Sequence, residues 1–159
     1  MESKKLLILG TGSIGSRYFN ILKNNNEFIV KTFDNRKNSK SNFESFKDIQ
    51  SWKAKSALIC LPTHLHSTYV IKLILIGFKY ILVEKPISNN LKNFKKIKRL
   101  AKEKNVKVFV VTNMRFHPGI VYLKKNINLV GNISFARSYF KNNLKNMYNK
   151  KLKGHYSNF

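Results

Sequence analysis

The stretch Leu6-Leu-Ile-Leu-Gly-Thr-Gly-Ser-Ile-Gly-Ser-Arg17 constrains the fold of this chain more than any other. A short apolar run stops at Gly10, Gly12 and Gly15 follow, and a helical pattern begins. Such an order reads as a buried strand, a tight turn and a helix whose first N–H groups point at an anion. Gly10 makes the turn, Gly12 lets a pyrophosphate approach the backbone, and Gly15 lets helix and strand pack closely, with Thr11, Ser13 and Ile14 completing the loop. Glycine triplets also arise by chance in loops, so the surrounding pattern has to carry the reading.

That pattern alternates strand and helix. Ile14, Tyr18, Phe19 and Leu22 share one helical face before the run dissolves in Asn24-Asn-Asn26. Phe28 to Phe33 reads as a second strand ending at Asp34. Phe43, Phe46 and Ile49 are spaced like a short helix face, and Ser56 to Leu61 reads as a third strand. A helix over about Leu65 to Ile76 stops at Gly77, and Lys79 to Val83 forms another strand. Leu91, Phe94, Ile97 and Leu100 stripe the next helix, with Ser88 or Asn89 as caps, and Val106 to Val111 is a further strand. Alternation of this kind implies parallel βαβ units, so the fold class is α/β, a doubly wound parallel sheet.

Composition bounds the function classes. A chain of 159 residues, 43% hydrophobic, can bury a core. The single cysteine, Cys60, excludes a disulfide framework within the chain and fits a reducing cytoplasm. The apolar stretch Tyr69 to Val83 is interrupted by Lys72, Gly77 and Lys79 and is too short to span a bilayer. Lys and Arg number 31 against 7 Asp and Glu, for a net charge of +24. A charge of that size suits nucleic acid or an anionic membrane surface. The lysines are, however, spread evenly beside abundant Asn, Ile and Phe, and no basic block alternates with aromatics. Compositional bias therefore accounts for them better than nucleic-acid binding does.

In a doubly wound sheet, ligands sit at the carboxyl ends of the strands. Here those ends carry the glycine turn, Asp34, Pro62 to His66, Glu84-Lys85-Pro86 and Asn113 to His117. Asp34 follows the glycine turn by about 20 residues, the position of a carboxylate that accepts from adenosine ribose hydroxyls. The competing reading is that it merely opens a turn. Asp34 argues for NAD, while Arg36, close enough to stack on adenine or meet a 2′-phosphate, keeps NADP open. Taken singly, each side chain has a structural explanation; five coincident placements are harder to explain so.

The sequence resembles the Gfo/Idh/MocA family of NAD(P)-dependent oxidoreductases. Gly10-Thr-Gly-Ser-Ile-Gly15, Leu61-Pro-Thr-His-Leu-His66, Gly77, Val83-Glu-Lys-Pro86 and Asn113-Met-Arg-Phe-His-Pro118 carry the likeness. The last looks like the family's segment after its sixth strand. The resemblance implies that Lys85, as a buried and partner-rich ammonium, polarises the reacting oxygen of a carbohydrate-like substrate while hydride moves to or from nicotinamide. It implies that Glu84 orders Lys85 and the cofactor, and that Pro86 constrains the bond that aims Lys85, in the manner of a cis proline. Leu61, Pro62, Thr63 and His66 would line the nicotinamide half, and Arg115 would lie near cofactor or substrate. No metal is implied.

The same resemblance divides the chain into a dinucleotide-binding domain over 1–118 and the start of a substrate and oligomerisation domain over 119–159. In the latter, Gly119 to Asn126 reads as a linking helix and Ile133 to Phe140 alternates like a first strand. That strand would leave an unpaired edge open to self-association. Asn142 to Phe159 reads as polar and loop-like. The family's second active-site element, an acid and a histidine behind a glycine, is not found there, and His155 lies outside that motif. The leading expectation is an oxidoreductase acting on a sugar, sugar nucleotide or cyclitol. A truncated, non-catalytic dinucleotide-binding remnant is the alternative, and a basic nucleic-acid-binding protein is third.

Overall fold

The computed structural model describes residues 4–36, 39 and 41–139. Five strands, β1 (Lys4–Leu9), β2 (Phe28–Phe33), β3 (Ser56–Ile59), β4 (Tyr80–Val83) and β5 (Lys107–Val110), form one parallel sheet in the order β2-β1-β3-β4-β5. The linking helices are α1 (Ser13–Leu22), α2 (Phe46–Ser51), α3 (Thr63–Leu75) and α4 (Leu91–Glu103). A parallel bridge between Phe33 and Phe43 extends the sheet by one position beyond β2. With Phe43 taken as a rudimentary strand, the order becomes 3-2-1-4-5-6, the doubly wound arrangement of dinucleotide-binding folds. It also makes β5 the sixth position, so Asn113-Met-Arg-Phe-His-Pro118 follows where the resemblance put it.

Register explains the core. Leu7, Ala57 and Ile81 lie in one row across the sheet, and Leu9, Ile59 and Val83 in the next. All six are buried in one cluster with Ile49 of α2, Val70, Leu73 and Ile74 of α3, and Ile97 and Leu100 of α4. Ile8 and Leu58, of opposite parity, are buried as well, and α1 packs against β1 and β2. Strands buried on both sides read as continuous apolar runs, which is how β1 and β3 are spelled.

Several boundaries differ from expectation for identifiable reasons. Helix α3 begins at Thr63 rather than Leu65, because Pro62, with φ −56°, already enters it from an extended conformation. The cap of α4 is Asn90, not Ser88 or Asn89: its Oδ1 accepts from Asn93 N at 2.8 Å, while Ser88 Oγ turns to the Asn90 carbonyl. Ile14 stands 46% exposed, so only Tyr18, Phe19 and Leu22 carry the half-buried face of α1. Helix α2 holds Phe46 and Ile49 within a capping box of Ser45 and Asp48, and Phe43 precedes it.

Some of the positive charge has a local function. Lys5 Nζ donates to the Trp52 carbonyl that ends α2, and Lys79 Nζ to the Lys104 carbonyl that ends α4, both at 3.0 Å. Ammonium groups at helix carboxyl ends satisfy orphan acceptors and oppose the helix dipole. Lys31 Nζ lies 5.1 and 5.4 Å from the ring centroids of Phe43 and Trp52. These lysines stabilise the fold through local contacts.

The described residues fall into two compact units, divided between Thr112 and Asn113. The second contains short 3₁₀ turns at Asn113–Phe116 and Ile127–Val130 and helix α5 (Pro118–Lys125), near the expected linking helix. Proline is its first residue, and His117 accepts from Gly119 N at 3.2 Å. The expected strand over Ile133 to Phe140 is not formed: 133–139 carry no strand, since a strand needs a ladder partner and alternation alone provides none. Phe140, the segment Asn142 to Phe159 and His155 lie outside the described residues. Replacing the α4 cap, Asn90→Ala, is expected to cost about 0.5–2 kcal/mol in urea unfolding, whereas Asn89→Ala leaves the midpoint nearly unchanged.

Candidate functional site

The chain reverses direction across the sheet at β1, whose neighbours are β2 on one side and β3 on the other. The crevice at the carboxyl ends of these strands is where such sheets bind ligands. Four segments come together there in spatial order: Asp34 to Arg36 after β2, the glycine turn after β1, Cys60 to Thr63 after β3, and Glu84 to Pro86 after β4.

The three glycines are required for different reasons. Gly10 has φ +92°, and a Cβ there would lie 2.7 Å from the Cys60 carbonyl oxygen. A Cβ on Gly15 would fall 1.8 Å from the Gly10 carbonyl oxygen, so α1 can leave β1 this closely only with no side chain at 15. Gly12 differs: a Cβ would meet nothing within 4 Å, and its backbone φ is an ordinary −70°. Neither packing nor backbone geometry demands glycine at 12. It caps α1 with no side-chain hydrogen bond, and the first turn holds no acid. The positive end of α1 is therefore left for an external anion, approached over a bare Cα.

Asp34 is held against this turn. Its Oδ2 accepts from Thr11 N at 2.7 Å, Thr11 Oγ1 at 2.9 Å and an Arg36 terminal nitrogen at 2.7 Å, and its Oδ1 accepts from Arg36 N at 3.0 Å. The carboxylate is 2% exposed, while the Arg36 side chain is 61% exposed. Burial opposes its charge, but the bonds from Arg36 and Thr11 prevail and hold the carboxyl well below the usual carboxylate range. The same pairing raises Arg36. Arg36 is thus engaged with Asp34 and Thr11, a pairing that spacing alone did not disclose.

Sequence reading also missed the loop beyond Asp34. Ser41 Oγ accepts from Asp34 N at 3.1 Å and Ser39 Oγ donates to the Asp34 carbonyl at 3.1 Å. Ser39, Ser41 and Asn42, with Thr11, Ser16 and Arg36, line a cavity of about 710 Å³ beside the glycine turn. The available signal was the run of small hydroxyl residues after an acid, a pattern suited to side chain-to-backbone bonds.

At the other end of the crevice, Leu61 is buried, Pro62 is half-buried and Thr63 is exposed. The Lys85–Pro86 peptide is cis. Lys85 is exposed, unlike the buried, partner-rich ammonium that the resemblance implies. Glu84, half-buried, adds negative charge here: burial first and Glu84 second push the Cys60 thiol up to about 12 and raise the Tyr18 hydroxyl. His66 is 1% exposed, and its ring nitrogens lie 2.7 Å from the Leu61 and Pro86 carbonyl oxygens. Arg115 is exposed on the Asn113–Phe116 turn of the second unit. Among the described residues, no three His, Cys, Asp or Glu side chains are grouped to hold a metal, and no helix is long and apolar enough to cross a membrane.

A parallel sheet that reverses order at a glycine turn, an uncapped helix start and an acid at the end of β2 define a dinucleotide-binding α/β domain. Residues 4–112 match the model of the Gfo/Idh/MocA oxidoreductase family, NAD-binding Rossmann fold, and the chain belongs to that family. Among solved structures, an NAD-binding protein from Listeria innocua has a TM-score of 0.71 at 21% identity, over 82% of this chain and 41% of its own. The WlbA dehydrogenase from Bordetella pertussis, in complex with NADH and UDP-GlcNAcA, has a TM-score of 0.71 at 19% identity, over 80% and 42%. The UDP-N-acetylglucosamine 3-dehydrogenase GnnA from Acidithiobacillus ferrooxidans has a TM-score of 0.68 at 19% identity, over 79% and 43%. The aligned part of this chain thus spans about two fifths of each of these structures. No curated protein sequence matches it.

Gly12→Ala is expected to stay within about 1 kcal/mol of wild type in urea unfolding, whereas Gly15→Ala loses at least about 1–3 kcal/mol to the clash with Gly10. For Asp34, a carboxyl depressed in the fold contributes stability above the ordinary carboxylate range and loses it as pH falls below about 4. Asp34→Asn should therefore unfold at lower urea than wild type at neutral pH, with the two midpoints converging in acid.

Proposed function

We propose that this chain is the cofactor-binding part of an NAD-dependent oxidoreductase acting on a hydroxyl or carbonyl of a sugar, sugar nucleotide or cyclitol. One observation carries the cofactor reading: the start of α1 is open over Gly12, where nothing in the fold requires glycine, beside an acid pinned to the same turn by Thr11. The amides of Ser13, Ile14 and Gly15 would hold the pyrophosphate, Asp34 the adenosine ribose hydroxyls, and Arg36 the adenine edge. A buried carboxylate at that position repels a 2′-phosphate, which favours NAD over NADP. Leu61, Pro62 and Thr63 would bound the nicotinamide half together with Glu84.

NAD, when bound, supplies the hydride chemistry. The chain supplies orientation and charge. Lys85, beyond β4, is the cation that would face a reacting oxygen, stabilise negative charge as it develops there, and give or take the proton at Nζ. Its exposure within the first unit means that further structure has to bury the substrate for that charge to act at full strength. We read 1–118 as the cofactor domain and 119–159 as the start of the substrate domain. The carbohydrate assignment takes support from the Bordetella pertussis protein, whose structure holds NADH and UDP-GlcNAcA.

Calorimetric titration with NADH and NADPH tests the reading. Wild type should bind NADH in preference to NADPH. Asp34→Ala should weaken NADH by about tenfold to a hundredfold, as expected for lost bonds to a charged acceptor, and narrow the preference. Gly12→Val should abolish binding while the protein remains folded by circular dichroism. Absence of binding by wild type, or no effect of Gly12→Val, would overturn the reading.

A further inference from the structure

His66 has a hydrogen-bonding pattern that a neutral imidazole cannot satisfy. Its Nδ1 lies 2.7 Å from the Pro86 carbonyl oxygen and its Nε2 2.7 Å from the Leu61 carbonyl oxygen. Carbonyl oxygens only accept, and a neutral ring has a single N–H to donate. With one proton, the ring would turn a nitrogen lone pair toward an oxygen lone pair at 2.7 Å, inside a site that is 1% exposed. With two protons both contacts are short, charge-assisted hydrogen bonds of ordinary length.

The two carbonyls belong to the two turns at the nicotinamide end of the site. Leu61 leads into Pro62 at the start of α3, and Pro86 directly follows Lys85. The ring joins positions 5 and 20 residues away along the chain. We propose that His66 is a positioning residue that donates from both ring nitrogens and so fixes the Leu61–Pro62 turn against the Lys85–Pro86 turn. The functional half of this inference rests on the cofactor reading above, whereas the protonation half stands on the two contacts alone.

Two measurements on the full chain test this. In a ¹⁵N-histidine spectrum at neutral pH, the resonance lost in His66→Gln should show protons on both ring nitrogens. In NADH titrations, His66→Gln should bind about tenfold more weakly than wild type, the scale of one lost hydrogen bond, and His64→Gln should match wild type. A ring carrying a single proton at neutral pH overturns the proposal, as does a His66→Gln variant that binds NADH as tightly as wild type. If wild type binds no NADH, the cofactor reading fails, and the ring spectrum alone decides whether His66 is a doubly donating clamp.

Discussion

The clearance between α1 and β1 is the constraint on which the site depends. The helix leaves the strand so closely that a methyl group on Gly15 would overlap the Gly10 carbonyl oxygen, and one on Gly10 would press on the Cys60 carbonyl. Close packing of this kind brings the start of α1 to the middle of the sheet, at the point where strand order reverses. Everything polar at the carboxyl edge is then arranged around that helix start. Asp34 reaches it through Thr11, and the Leu61 turn lies beside it because β3 pairs with β1.

Charge at this edge is built from short local networks in a chain whose overall balance is strongly positive. Asp34, the one buried acid among the described residues, is held by backbone and side-chain donors beside the glycine turn, and it remains ionised despite its burial. At the opposite edge, Lys5 and Lys79 satisfy the carboxyl ends of α2 and α4. The net charge of +24 is therefore not evidence by itself for a polyanion partner. Part of it neutralises helix ends and covers aromatic rings, as a fold does when lysine is its commonest polar side chain.

Much of the architecture was legible because parallel strands buried on both faces must be written as apolar runs, and the turns between them as glycine, asparagine or proline. The glycine turn, the five strands, Asp34 and the Glu84-Lys85-Pro86 element all came from such local signals. What failed were features that need a partner elsewhere in the chain. Alternation over Ile133 to Phe140 suggested a strand, yet among the described residues no neighbour pairs with 133–139. Asn90 rather than Ser88 or Asn89 caps α4, since the choice turns on which side chain reaches the amide three residues ahead.

Pattern and spacing alone determined a doubly wound sheet with a glycine turn after its first strand, because the glycine requirement and the apolar period are local properties of the chain. Tertiary structure decided what the other conspicuous residues do. It tied Arg36 to Asp34 and Thr11, left Gly12 bare where no contact demands it, and left Lys85 exposed beyond β4. It also enclosed His66 between the carbonyls of Leu61 and Pro86. Those outcomes depend on atoms brought together from different strand ends, and only the folded sheet sets that distance.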